Sequence, residues 1–311
     1  MSQGPSSSGR FAFAALILAN LFLAAGPWMV RLADVGPVAA GFWRLALALP
    51  FLAVVAWRQH RGRPAPGWGL AAIVVIGGLF FAADLAAWHE GIVRTKLANA
   101  TLFGNFASFL FAAYGFVLLR ALPRPAQLLA LLLAAAGTLL LLGGSYELSR
   151  AHFTGDLLAL LAGLFYTFYL IAVDRARRTM KPWPVLAIAT AGGTIPLLLF
   201  ALALGEQVMP HDWTMVILLS VSSQLVGQGL LVYAMGHVAP VVTGLVFLTQ
   251  PIASALIGWL AFDERLSAGD GIGALLICVA LVLIRLPNRT LPLDGGGQGG
   301  GELSARPAQA S

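Results

Sequence analysis

The chain has 311 residues, 59% of them apolar and only 10% charged, with a net charge of +6. A soluble domain carries roughly a quarter charged residues to face water, so this composition excludes the ordinary soluble class and calls for a bilayer as solvent. The basic residues are scattered between apolar runs, which argues against a nucleic-acid face, and the single cysteine, Cys278, excludes an intramolecular disulfide.

In chain order, the polar segment MSQGPSSSGR (residues 1–10) reads as a disordered tail. A spanning helix needs about 20 mostly apolar residues, and the runs that follow predict helices over 11–31, 37–57, 68–91, 97–119, 126–143, 155–174, 184–204, 213–235, 240–262 and 269–286. The first run is too long for a signal-peptide core and nine more follow it, so it reads as a retained helix. Residues 144–154 read as a periplasmic linker, and the glycine-rich 287–311 as a second disordered tail. The expected fold is an all-α membrane protein with ten transmembrane helices in two inverted five-helix repeats, 11–143 and 155–286.

Basic residues in alternate loops set the orientation. With the N-terminus inside, 13 Lys and Arg fall on the inner side (among them Arg58, Arg61, Arg178 and Lys181) and 5 on the outer (Arg31, Arg94, Lys96, Arg150, Arg265), with Arg44 inside a span. This bias predicts that both termini are cytoplasmic. Two lysines against seventeen arginines, together with high alanine content, point to a bacterial inner membrane.

The halves resemble each other. Aligned from Gly91 and Gly236, Asn105 falls on Gln250, Tyr114 on Trp259 and Arg120 on Arg265. Five is an odd number of helices, so two such halves insert with opposite orientation, the plan of many secondary transporters with a midplane site.

Three segments carry a resemblance to a known family: ADLAAWHEGIVRTKLANATLFGNFASF, GDLLALLAGLFYTFYLIAVDRARR and SQLVGQGLLVYAMGHVAPVVTGLVFLTQPIASALIGWLAFDERLS. In residues, order and spacing they resemble EamA-type members of the drug/metabolite transporter superfamily, over about residues 11–286. The resemblance implies ten helices in two inverted repeats, a central cavity, and metabolite or drug efflux. The chain departs from the family pattern where FASF follows Asn105 in place of a proline, and at Asp263 in place of a glycine.

Ionisable side chains at bilayer depth cost at least about 2.5–3.5 kcal/mol at a helix centre, so each needs a reason. Two stand out well inside predicted spans, Arg44 in helix two and Asp84 in helix three. Asp84 either faces a cavity, binding a cationic group or exchanging a proton, or pairs with Arg44 to hold two helices together; for Arg44 the architectural role is favoured. Trp88 lies one turn from Asp84 on the same face. His89 either senses external pH or is an interfacial residue bonded to water, and Glu90 beside it reads as solvated.

Helix four spaces Thr101, Asn105 and Ser108 along one stripe; helix nine answers with Thr243, Phe247, Gln250 and Ser254, and helix eight with Gln224 and Gln228. Such stripes line a cavity or glue helices by hydrogen bonds worth about 0.6 kcal/mol each. Tyr166 and Tyr169, at mid-span in helix six, and Asn20 in helix one are further lining candidates. Trp28, Trp43 and Trp183 read as interfacial anchors. Pro50, Pro196 and Pro251 can kink helices and supply hinges.

These readings add up to a secondary transporter, an exporter of small polar or amphipathic metabolites such as amino acids or drugs, working by alternating access. A passive facilitator is the alternative. The missing phosphate loop leaves direct ATP drive unsupported, and an intramembrane enzyme is disfavoured because no metalloprotease or serine-hydrolase motif occurs. The expected partners are a small-molecule substrate and the lipid bilayer, with a homodimer left open; no cofactor, metal or nucleic acid is expected.

Overall fold

The structure, a computed structural model, describes residues 7–62, 66–95, 97–120, 122–143, 151–262 and 267–285. The predicted tails, most of the 144–154 linker, Arg265 and the side chain of Ser254 lie outside the described residues. Helical segments join end to end into ten rods, which follow the predicted runs in order.

Helix α1 comprises Ser7–Ala24 and Gly26–Leu32, α2 is Pro37–His60, α3 is Trp68–Arg94, and α4 is Leu97–Gly104 with Phe106–Leu119. Helix α5 is Pro125–Gly143, α6 is Phe153–Arg177 and α7 is Pro182–Ala203. Helix α8 runs Thr214–Leu219, Ser220–Gly227 and Gln228–Met235, its middle stretch wound as a π-helix; α9 is Pro240–Phe247 with Gln250–Phe262, and α10 is Ala268–Arg285.

Proline opens the first turn of α2, α7 and α9. Its fixed φ suits the helix there, and its missing N–H would be unpaired in any case. Seven of the rods (α1–α4 and α6–α8) are long and apolar enough to cross a membrane among the described residues, while α5, α9 and α10 carry shorter apolar stretches. Their outer faces expose large apolar side chains, including Leu139, Ile195, Leu199, Leu275 and Val282. Water would penalise such a surface, whereas lipid does not.

The neighbour pattern is nearly unchanged when the halves are exchanged. Helix α3 packs on α6 and α7, and α8, its counterpart, packs on α1 and α2. Helix α4 meets α6 as α9 meets α1, while α2–α7, α4–α9 and α5–α10 each pair with their own counterparts.

Close packing at the centre depends on small residues. A Cβ on Gly78 would collide with the Ala189 carbonyl, and one on Gly77 would stand 2.7 Å from the Ala172 side chain. Any larger residue there would push α3 off α7 and α6. The main core gathers Leu45, Phe81, Tyr169, Leu186 and Leu231 from α2, α3, α6, α7 and α8, and a smaller cluster joins α5, α9 and α10 through Ala134, Leu245 and Ile277.

Candidate functional site

Three interrupted rods and the π-helical stretch converge on the bundle interior. Helix α1 breaks at Ala25, before Gly26–Pro27; α4 breaks at Asn105, after Gly104; α9 breaks at Leu248 and Thr249, before Gln250–Pro251. The α4 and α9 breaks fall at almost the same place in the Gly91/Gly236 alignment. Non-helical backbone at membrane depth survives only where protein or a water-filled cavity receives its polar groups.

A cavity of about 110 Å³ lies at these breaks. Leu23, Ala24, Gly26 and Pro27 of α1 wall one side of it, and Arg44, Phe81, Asp84, Trp88 and His89 of α2 and α3 another. Thr101, Gly104 and Asn105 of α4 join Tyr166 of α6, Gln228 of α8 and Gln250 of α9 to close it. The α3 residues run from its middle into its last third and the α4 residues lie in its first half, so the cavity sits from mid-bundle toward the end that carries Asp34 and Glu206.

The two charged residues face this cavity without closing on each other. The Nε of Arg44 donates to Gln224 Oε1 at 3.2 Å, and the guanidinium stands 5.5 Å over the Phe81 ring. Gln224 is itself held, donating from Nε2 to Thr190 Oγ1 at 2.9 Å, and Ser220 Oγ donates to the Arg44 carbonyl at 3.0 Å. The remaining guanidinium nitrogens of Arg44, and both oxygens of Asp84, make no hydrogen bond or ion pair with a described residue. A direct Arg44–Asp84 brace is therefore absent from the described residues.

The aromatic wall is tied down from behind. Tyr169 stacks on Phe81 at 4.5 Å between centroids and donates its hydroxyl to Gln228 Oε1 at 3.1 Å. Gln228 Nε2 reaches the Tyr166 hydroxyl at 3.4 Å, and Tyr166 packs on Phe247. Trp88 sits over the α4 break, where a Cβ on Gly104 would run into its ring. His89 donates from Nδ1 to the Pro37 carbonyl at 2.8 Å, which fixes the orientation of its ring. Asn105 lines the cavity, and its Nδ2 is buried with no hydrogen-bond partner among the described residues.

Nine of the predicted residues (Arg44, Asp84, Trp88, His89, Thr101, Asn105, Tyr166, Gln228 and Gln250) are thus brought together. Ser108, Thr243 and Phe247 of the predicted stripes are not on the wall, and neither are three further candidates. Tyr169 and Gln224 lie behind it as fully buried supports, and Asn20 bonds back to the Leu16 carbonyl of its own helix at 3.0 Å. The sequence reading missed the helix breaks as site features, although Gly26–Pro27, Gly104–Asn105 and Gln250–Pro251 are the residues that signal them. It also missed the role of Phe81, which reads as ordinary core.

Glu90 departs from its expected solvated state. It is largely buried, pairs with Arg94 one turn on, and neighbours the Glu206 carboxyl, which caps the start of α2 by accepting from Val38 N at 3.2 Å and Ala39 N at 2.7 Å.

The sequence matches the EamA-like transporter family twice, over residues 10–143 and 153–286. The chain belongs to that family. Two curated proteins of Archaeoglobus fulgidus, each called an uncharacterized transporter, are similar to this EamA-like chain. One is 24% identical over 264 residues, covering 82% of this chain and 89% of its own; the other is 26% identical over 275 residues, covering 88% and 96%. A solved crystal structure superposes with a TM-score of 0.74 at 21% identity, over 90% of this chain and 96% of that one, which establishes a shared fold. This EamA-like chain is therefore a multi-pass membrane transporter, and its two family copies coincide with the two halves that exchange neighbours in the bundle.

Proposed function

We propose that the protein is a secondary carrier that exports small zwitterionic or cationic amphipathic metabolites, amino acids foremost, by alternating access. The observation that carries this reading is the presence of Arg44 and Asp84 in one cavity, each with uncommitted polar atoms and neither satisfied by the other. A zwitterion fits that gap. Its carboxylate takes the free guanidinium nitrogens of Arg44, its ammonium takes Asp84, and its side chain lies against Trp88 and Tyr166. Bidentate contact to a carboxylate is what a guanidinium does best, and the aromatic faces also favour a cation.

The size of the cavity agrees with a small solute. Pockets for drug-sized ligands measure about 300–1,000 Å³, so a larger compound requires the bundle to widen. All ten rods crossing the bilayer as two oppositely oriented halves, with both termini in the cytoplasm, fits the exchangeable neighbour pattern and the basic inner loops. On that orientation the cavity lies toward the periplasmic side, as in a carrier about to release its cargo.

Counterflow into liposomes holding the purified protein tests the proposal. Vesicles preloaded with a neutral, an acidic and a basic amino acid in turn should accumulate radiolabelled partner solutes saturably. Exchange that follows the zwitterionic headgroup across side chains supports this reading, and the absence of exchange for every zwitterion and amine overturns it.

A further inference from the structure

We propose that a second site, at the end of α2 and α7 remote from the cavity, holds an anionic phospholipid between its acyl region and its phosphate. Helix α2 ends and α7 begins there, and Trp57, His60, Arg61, Met180, Pro184 and Ile188 wall a groove of about 420 Å³. That is within the size range of ligand sites. The site shares no residue with the central cavity and does not depend on what the carrier moves.

Chemistry and place together select the occupant. Both helices are long and apolar enough to span a membrane, so their ends mark the depth at which hydrocarbon gives way to headgroups. Below the rim the walls are apolar. At the rim Arg61 stands 5.4 Å over the Trp57 ring, exposed, with its guanidinium making no hydrogen bond or ion pair to a described residue. Trp57 is 62% exposed, an amphipathic ring of the kind found at headgroup level.

A soluble phosphate would leave the apolar wall wet. A choline lipid would place a second cation among Arg58, Arg61 and Lys181, which share this end of the bundle. A phosphatidylglycerol-type lipid satisfies both parts, filling the groove with acyl chain and giving Arg61 a phosphate without an opposing cation.

Native mass spectrometry of the full chain in detergent, with phosphatidylglycerol, phosphatidylcholine or glycerol phosphate added in separate runs, tests this. Phosphatidylglycerol should be retained in preference to the other two. Arg61→Gln should weaken its retention roughly fivefold, and Ile188→Trp, which fills the groove, should lower it without touching the charge. Arg124→Gln, an exposed arginine ahead of α5, should leave it unchanged. Equal retention of phosphatidylcholine, equal retention of glycerol phosphate, or an Arg61→Gln loss no greater than that of Arg124→Gln overturns the site.

Discussion

Arg44 and Asp84 face one cavity from neighbouring helices, yet Arg44 spends its Nε on Gln224, and Asp84 makes no hydrogen bond or ion pair with a described residue. An arginine and an aspartate held apart inside a membrane bundle forgo the stabilisation that a direct pair would give them. In the proposed mechanism a solute bridges them and closes the electrostatic gap. Asp84→Asn should therefore weaken uptake of zwitterionic and amine solutes by roughly tenfold or more. Arg44→Gln should instead spare amines that lack a carboxylate. Concentration-dependent uptake of an amino acid against its decarboxylated amine separates the two effects.

Gly104 sets the seat of Trp88. With a Cβ at position 104 the indole must move, and α4 and α3 are too closely packed to yield freely. Gly104→Ala should lower thermal stability by about 1–3 kcal/mol and raise the apparent KM for transported solutes, because Trp88 walls the cavity. Thermal unfolding in detergent beside an uptake titration checks both.

Gln224 is the hinge of a buried chain that runs Arg44–Gln224–Thr190. Gln224→Leu strands the Arg44 Nε and the Thr190 hydroxyl, at about 1–3 kcal/mol for each buried group left unsatisfied. Gln224→Glu keeps an acceptor for Arg44 and should recover part of the loss. Melting temperatures of the two variants, compared with the parent protein, give the answer.

The cap on α2 should be acid-stabilised. Burial, with the neighbouring Glu90 carboxyl, pushes the Glu206 pKa up, against the lowering pull of the Ala39 and Val38 N–H groups. A carboxyl whose folded pKa is raised adds stability that is fully present below its unfolded pKa, and that stability is lost as pH rises through the folded pKa. Melting temperature should thus rise as pH is lowered from about 7 toward about 5, and Glu206→Gln should flatten the slope. The window stays above about pH 4 because Asp34 acts in the opposite sense. The Asp212 N–H, then the His211 N–H, holds its pKa low, so its contribution is lost only in stronger acid.

Most of the bundle was legible in the sequence because lipid imposes one rule on every span: a long apolar run closed by glycine, proline or charge. The ten helices follow from that rule with ends displaced by a few residues, as at α2, which continues from 57 to His60. Intramembrane polarity marked nine residues that the cavity does gather. What the pattern could not show was direction. Gln224 and Gln228 sit one turn apart on a single stripe, yet Gln228 lies on the wall while Gln224, fully buried behind it, bonds Arg44 and Thr190. Asn20 reads as a lining residue from polarity alone, yet its amide is taken by its own helix. Glu206 lay in a loop with nothing to indicate that it caps a helix starting 169 positions earlier, at Pro37; only tertiary contact reveals that.

The most direct test of the account is the initial rate of amino-acid uptake into proteoliposomes, measured for the parent protein and for Asp84→Asn at matched reconstitution. The account predicts saturable uptake by the parent, competed by other zwitterions, and a loss of roughly tenfold or more in Asp84→Asn. Equal rates in the two proteins would contradict it, because the cavity's uncommitted acid would then take no part in holding the solute.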